Sequence, residues 1–185
     1  MDQTKRKNCT NRRRCNSKAS TKNRKIKAIK KIKIKALNTS DLEQCLSDSP
    51  HFLGVFSSDE ILFLRLKSFP VSLVVNLEPK WSRGSHWLSI WIDKENIEIF
   101  DSLGFDPKSW NNFPCRLLQF LSRFKYSHNF KISPACQSMN SHYCGLFCIY
   151  FICKRPFWTF DTCCSKLKFK SYTRSFRKAC TFVLE

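Results

Sequence analysis

Charge is segregated along this 185-residue chain, and that asymmetry limits which part of it can fold. Residues 1–35 hold fifteen Lys and Arg against one acid, Asp2, a net +14, and contain no aromatic residue. Such a segment buries too little apolar surface to offset the entropy of ordering it, so it is expected to be mobile when free. The remaining 150 residues carry eighteen Lys and Arg and thirteen acids, a net +5. With 42% hydrophobic and 14% aromatic residues overall, the chain has enough apolar surface for one domain, which excludes wholesale disorder. The reading is therefore a basic tail over residues 1–38 and one domain over residues 39–185. Ile26, Ile29 and Ile32 recur at helical spacing, so residues 25–36 can form a basic helix on a polyanion or membrane surface. A solvated tail or a nuclear-import signal accounts for the same charge.

The cysteine count bears on compartment. Eleven is odd, so the cysteines cannot all pair within one chain. The N-terminus is charged with no apolar stretch before a cleavage site, so secretion is not expected, and the thiols read as reduced, in the nucleus or cytosol. The longest apolar run, Leu146 to Cys153, is too short to span a bilayer. The formal charge of +19 suggests an acidic partner, nucleic acid first. Residues 166–178 add six basic residues with Phe169, Tyr172 and Phe176 among them. They can hold a nucleic-acid backbone without reading sequence, or form a solvated face whose aromatics pack inward.

The pattern of elements is mixed. Ser40-Asp41-Leu42-Glu43 reads as a capping box opening a short helix, and Ser58-Asp59-Glu60 as the cap of a second one through Leu66. The stretch between them, with Pro50, Gly54 and Ser57-Ser58, reads as loop. Val71–Leu77 is β-branched and apolar, a buried strand. His86–Ile92 and Asn96–Phe100 read as two further strands joined by a hairpin at Asp93-Lys94-Glu95. Leu117–Phe124 has an amphipathic helical pattern, Phe130–Ile132 a short strand, and Cys144–Cys153 a buried helix ended before Pro156. The sum is an α+β domain with a small central sheet.

Four histidines, His51, His86, His128 and His142, are candidates for a base. His86 is singled out because it follows Gly84-Ser85 at the mouth of a strand, where a side chain is held firmly yet stays reachable. An antiparallel hairpin brings Asp101, at the end of the next strand, beside it. A carboxylate there would accept the imidazole Nδ1–H and stabilise the imidazolium. Taken alone, Asp101 also serves as the first residue of a turn before Gly104. Cys144, at the N-terminus of the buried helix, lies where the helix dipole favours thiolate, with Gly145 beside it to let a substrate backbone approach. Taken alone, it is equally a buried structural thiol. Gln137, seven residues earlier, has an amide able to donate to an oxyanion together with the Cys144 N–H. Cys148 and Cys153, deeper in the helix, are expected to be inert. The Cys144-x3-Cys148-x4-Cys153 spacing lacks the CxxC turns of structural zinc, so no metal is expected.

The ordered set is more specific than its members. Gly84-Ser85-His86-Trp87, Phe100-Asp101-Ser102-Leu103-Gly104 and Gln137-Ser138-Met139-Asn140-Ser141-His142-Tyr143-Cys144-Gly145-Leu146-Phe147-Cys148 resemble the adenovirus protease (adenain) family. That family includes relatives from Maverick/Polinton elements and adintovirus-like viruses. Phe52-Leu53-Gly54-Val55-Phe56 is similar to its N-terminal region. The resemblance covers about residues 40–155. It implies a papain-like, circularly permuted cysteine protease fold with a small mixed sheet flanked by helices. Carried over, His86 is the base, Asp101 orients it, Gln137 supplies the oxyanion hole and Cys144 attacks. Asp101 stands where adenovirus enzymes tend to have Glu. The family implies cleavage of viral precursors at Gly-containing sites, with stimulation by DNA and by a disulfide-linked peptide. The cysteine for that link would fall near Tyr126, where there is none; Cys115 and Cys136 are the nearest thiols.

The expectation is therefore a monomeric viral or transposon cysteine endopeptidase that matures capsid precursors in the host nucleus and virion. It needs no cofactor for its chemistry, and DNA serves as an activator. A protease for a ubiquitin-like modifier and a non-catalytic nucleic-acid-binding relative are the alternatives.

Overall fold

Three runs of β-branched and apolar residues build the centre of the fold. A computed structural model describes residues 36–104 and 113–167. The readings on residues 1–35 and 168–178 lie outside the described residues. Within them, β1 (Phe52–Ser57), β2 (Val71–Asn76), β3 (Trp87–Ile92), β4 (Asn96–Phe100) and β5 (Asn129–Ile132) form one mixed sheet in the order β1-β2-β3-β4-β5. β2–β3 and β3–β4 pair antiparallel, and the outer pairs β1–β2 and β4–β5 are parallel. The expected hairpin at residues 93–95 is the β3–β4 turn, where Asp93 Oδ1 accepts from the N–H groups of Glu95 and Asn96 at 2.9 and 2.8 Å.

The period-two alternation of strands explains why both faces are covered. Leu73, Val75, Leu88, Ile90, Ile92, Ile97 and Ile99 pack against a 3-10 turn at Ile61–Phe63 and helix α2 (Cys115–Ser122). Val74, Trp91 and Phe100, on the other face, meet helices α1 (Thr39–Leu46), α3 (Cys144–Lys154) and α4 (Phe160–Ser165). α3 is apolar nearly all round and is buried accordingly, with the Phe151 ring stacked on Phe100 at 4.8 Å. Its last turn is tied to the sheet by Arg155, which grips the fully buried Glu98 through Nε and Nη2 and lies over the Trp91 ring. Among the described residues no helix is long and apolar enough to cross a membrane.

Several expectations are corrected. The capping box that opens α1 uses Asn38 and Asp41, whose side chains each accept the other's backbone N–H, rather than Ser40 and Glu43. Ser58 caps no helix through Leu66; Glu60 instead folds back to Ser57 and the chain makes only the 3-10 turn. The stretch read as loop contains β1, whose register slips between Phe52 and Gly54. α4 has no counterpart in the sequence reading. Leu37 and Asn38 already belong to the folded unit, Leu37 buried in the core and Asn38 as the helix cap.

Candidate active site

The turn after β4 organises the site. Its backbone closes with the Gly104 N–H donating to the Asp101 carbonyl at 2.9 Å. Gly104 holds φ at +70°, and a Cβ there would stand 2.3 Å from the Ala135 nitrogen, so only glycine lets this turn lie against residues 135–137. The approach is used: the Cys136 and Gln137 N–H groups both donate to the Ser102 carbonyl at 2.8 Å. Ser133 fixes Asp101 from the other side, its Oγ accepting the Asp101 N–H at 2.8 Å and donating to the Asp101 carbonyl at 2.7 Å.

His86 enters at the start of β3, and its imidazole is hydrogen-bonded to the wholly buried Asp101 at 2.7 Å. The ring atom facing Asp101 is Nε2, which corrects the expectation of Nδ1. With Nε2–H committed to the carboxylate, Nδ1 is the nitrogen left for the nucleophile. Asp101 Oδ1 also accepts the Leu103 N–H at 2.8 Å, so the carboxylate is oriented before it meets the ring.

Cys144 is the first residue of α3, at the positive end of the helix, and lines the same cleft as His86. Burial pushes its thiol pKa up, but the hydrogen bond from His86, the N–H groups of Trp87 and Gly145 and the imidazolium charge outweigh it, and the net direction is down. Burial likewise pushes His86 down, and its hydrogen bonds to Asp101 and Cys144 with their charges raise it to about 9. The two shifts have opposite signs and a common cause, the hydrogen bond and charge that each group presents to the other. Cys148, one turn on and fully buried, is pushed well above the ordinary thiol value by desolvation, opposite in sign to Cys144. Cys153 is raised for the same leading reason.

Gln137 is buried at the cleft wall, its Oε1 accepting from Ser102 Oγ at 2.7 Å and its Nε2 donating to the Ser141 carbonyl at 2.9 Å. The structure thus brings His86, Gln137 and Cys144 to one cleft of about 730 Å³, with Asp101 buried behind the His86 ring. Gly145 does not open onto substrate as expected. A Cβ there would meet Leu37 Cβ at 3.1 Å, so its role is close packing of α3 on the segment before α1. Of the other histidines, His142 lines the cleft, His51 stands edge-on to Trp91, and His128 bonds the Asp93 carbonyl at 3.0 Å.

The family model for the adenovirus endoprotease matches residues 52–168. The chain belongs to the adenovirus endoprotease family. It is accordingly a cysteine-type peptidase, a thiol protease of the permuted papain-like fold. A comparison with curated proteins finds no match. Among solved structures, the SUMO protease Ulp1 with its catalytic cysteine oxidized to a sulfinic acid is 16% identical, with 88% of this chain and 84% of that one covered and a TM-score of 0.44. The sulfenic acid form of Ulp1 gives 15%, 87% and 82%, with a TM-score of 0.42. The Legionella pneumophila effector RavZ gives 12%, 75% and 48%, with a TM-score of 0.32. At these scores the likenesses carry no functional weight.

Sequence reasoning missed two residues that touch the candidate machinery, Ser102 and Ser133. Ser102 had one signal, its place directly after Asp101. Ser133 had none, because its contact crosses from the end of β5 to the end of β4.

Proposed function

We propose that this protease is an endopeptidase that cleaves viral or transposon capsid precursors at Gly-containing sites during virion maturation. Cys144 is its nucleophile, His86 its base and acid, Asp101 the group that orients the imidazole, and Gln137 the oxyanion donor. The observation that carries the assignment is the hydrogen-bonded chain Cys144–His86–Asp101, with the thiol lowered and the imidazole raised. The Cys144 thiolate attacks a peptide carbonyl carbon, and the Gln137 amide and Cys144 N–H receive the developing oxyanion. His86 gives its proton to the leaving nitrogen as the C–N bond breaks. Water, giving a proton to His86, then attacks the thioester carbon, and the C–S bond breaks to return the thiolate.

Membership of the family supports the narrower substrate reading, and the net +14 of residues 1–35 supports DNA as a sequence-independent activator and the nucleus as the place of work. Residues 166–178 are a second candidate contact. The protein acts as a monomer in this reading. The test is cleavage of a peptide library with and without DNA. Wild type is expected to cut Gly-containing capsid peptides, faster with DNA, whereas Cys144→Ser and His86→Ala fold but do not cut. Turnover by either variant contradicts the assignment. A preference for a ubiquitin-like modifier fusion over capsid peptides contradicts the substrate class.

A further inference from the structure

Asp101 and Ser102 are consecutive, yet they hold different halves of the machinery. Asp101 holds the imidazole. Ser102, 1% exposed, meets residues 136 and 137 through three hydrogen bonds: its carbonyl accepts two backbone N–H groups, and its hydroxyl donates to Gln137 Oε1 at 2.7 Å. The two side-chain bonds together fix which end of the amide is which: the Ser141 carbonyl can only accept, so the nitrogen must face it, and the Ser102 hydroxyl then holds the oxygen. An oxygen that accepts from Ser102 leaves the nitrogen on the side of the Ser141 carbonyl, where Nε2 donates at 2.9 Å. One amide hydrogen is consumed there, and the second is the one available to the cleft that Gln137 shares with Cys144. An amide turned over would offer a lone pair to the oxyanion, which repels it.

We infer that Ser102 is a positioning residue for the oxyanion hole: its hydroxyl anchors the oxygen of the Gln137 amide, holding the side chain in the orientation that the Ser141 carbonyl dictates, with nitrogen toward the cleft. The inference rests on the oxyanion role proposed above for Gln137. Ser102 acts on transition-state charge, not on the Cys144–His86 pair and not on substrate docking. A pre-set donor is worth more than one that must rotate during the reaction, because its dipole is already oriented when charge develops.

The experiment is a kinetic cycle on the full chain with a cleaved peptide. Ser102→Ala is expected to lower kcat about 10- to 100-fold, by analogy with misplaced or lost oxyanion donors, with KM unchanged. The pH profile of Cys144 alkylation should stay where it is in wild type. Gln137→Ala should lower kcat about 10²–10³-fold, and the double variant should be no slower than Gln137→Ala alone. Ser102→Thr, which keeps the hydroxyl, should restore most of kcat and guards against a folding failure of the alanine variant. Full multiplicativity in the double variant, a displaced alkylation profile in a folded Ser102→Ala, or an unchanged kcat in it overturns the inference. If Gln137→Ala itself leaves kcat unchanged, the oxyanion assignment falls first. If Gln137→Ala is slow and Ser102→Ala is not, only the role of Ser102 falls.

Discussion

Two thiols one helical turn apart on α3 meet opposite surroundings. Cys144 and Cys148 share α3, yet one is shifted down and the other far up. The difference lies in what surrounds each sulfur, an imidazole and two backbone N–H groups against an apolar interior. The imidazole depends in turn on Asp101, whose hydrogen bond is the first of the interactions raising His86 against its burial. Since the leaving nitrogen needs the imidazolium, kcat/KM should fall as pH rises through about 9, the His86 value. On the acid side it falls as the thiolate is protonated. Asp101→Asn removes the charge that raises His86, so the alkaline limb should move down toward the ordinary histidine value near 6.5 and the plateau should drop. Rates measured across pH for both proteins check this; an alkaline limb that stays in place contradicts the role given to Asp101. The nitrogen assignment was not legible in the sequence. Which ring atom faces Asp101 depends on how the chain enters β3, and no residue type encodes that.

At the scale of elements, the post-β4 turn is the piece on which the site depends. Gly104→Ala forces an L residue to φ +70° and drives its Cβ toward the Ala135 backbone. The conformation alone costs about 1–2 kcal/mol, and the contact adds to it. The denaturant midpoint should therefore fall, and kcat with it, because the turn carries Asp101 and Ser102; an unchanged midpoint contradicts this account. The strands flanking this turn were legible because β2, β3 and β4 are runs such as Val71-Ser72-Leu73-Val74-Val75 and Ile97-Glu98-Ile99-Phe100. β1 was not legible. Gly54 and the neighbouring Pro50 are turn signals, and here Gly54, at φ +150°, marks the register slip beside β2 instead. α4 was hidden because Asp161-Thr162-Cys163-Cys164-Ser165 has weak helical propensity, and burial of Phe160 and Cys163 supplies what propensity does not.

For the whole molecule, the governing feature is the separation of a moderately charged protease from a strongly basic segment. Leu37, which packs beside Gly145, and Asn38, which caps α1, tie the start of the folded unit to the helix that carries Cys144. Ala36, the residue that follows the basic segment, lines the cleft. Deleting residues 1–35 should weaken DNA binding and flatten the dependence of log K on log salt, since each phosphate contact contributes a slope of roughly 0.9 on duplex DNA. Basal cleavage should survive. A salt slope equal to that of the full chain would place the DNA contact elsewhere.

The proposed mechanism requires Cys144 to be a thiolate because His86 holds its proton. The most direct measurement is the rate of iodoacetamide labelling at each cysteine, mapped by mass spectrometry in the folded protein near pH 6. Cys144 is predicted to label far faster than Cys148 in wild type and to lose that advantage in His86→Ala. Equal labelling of the two cysteines in wild type, or a Cys144 rate indifferent to His86, would contradict the account.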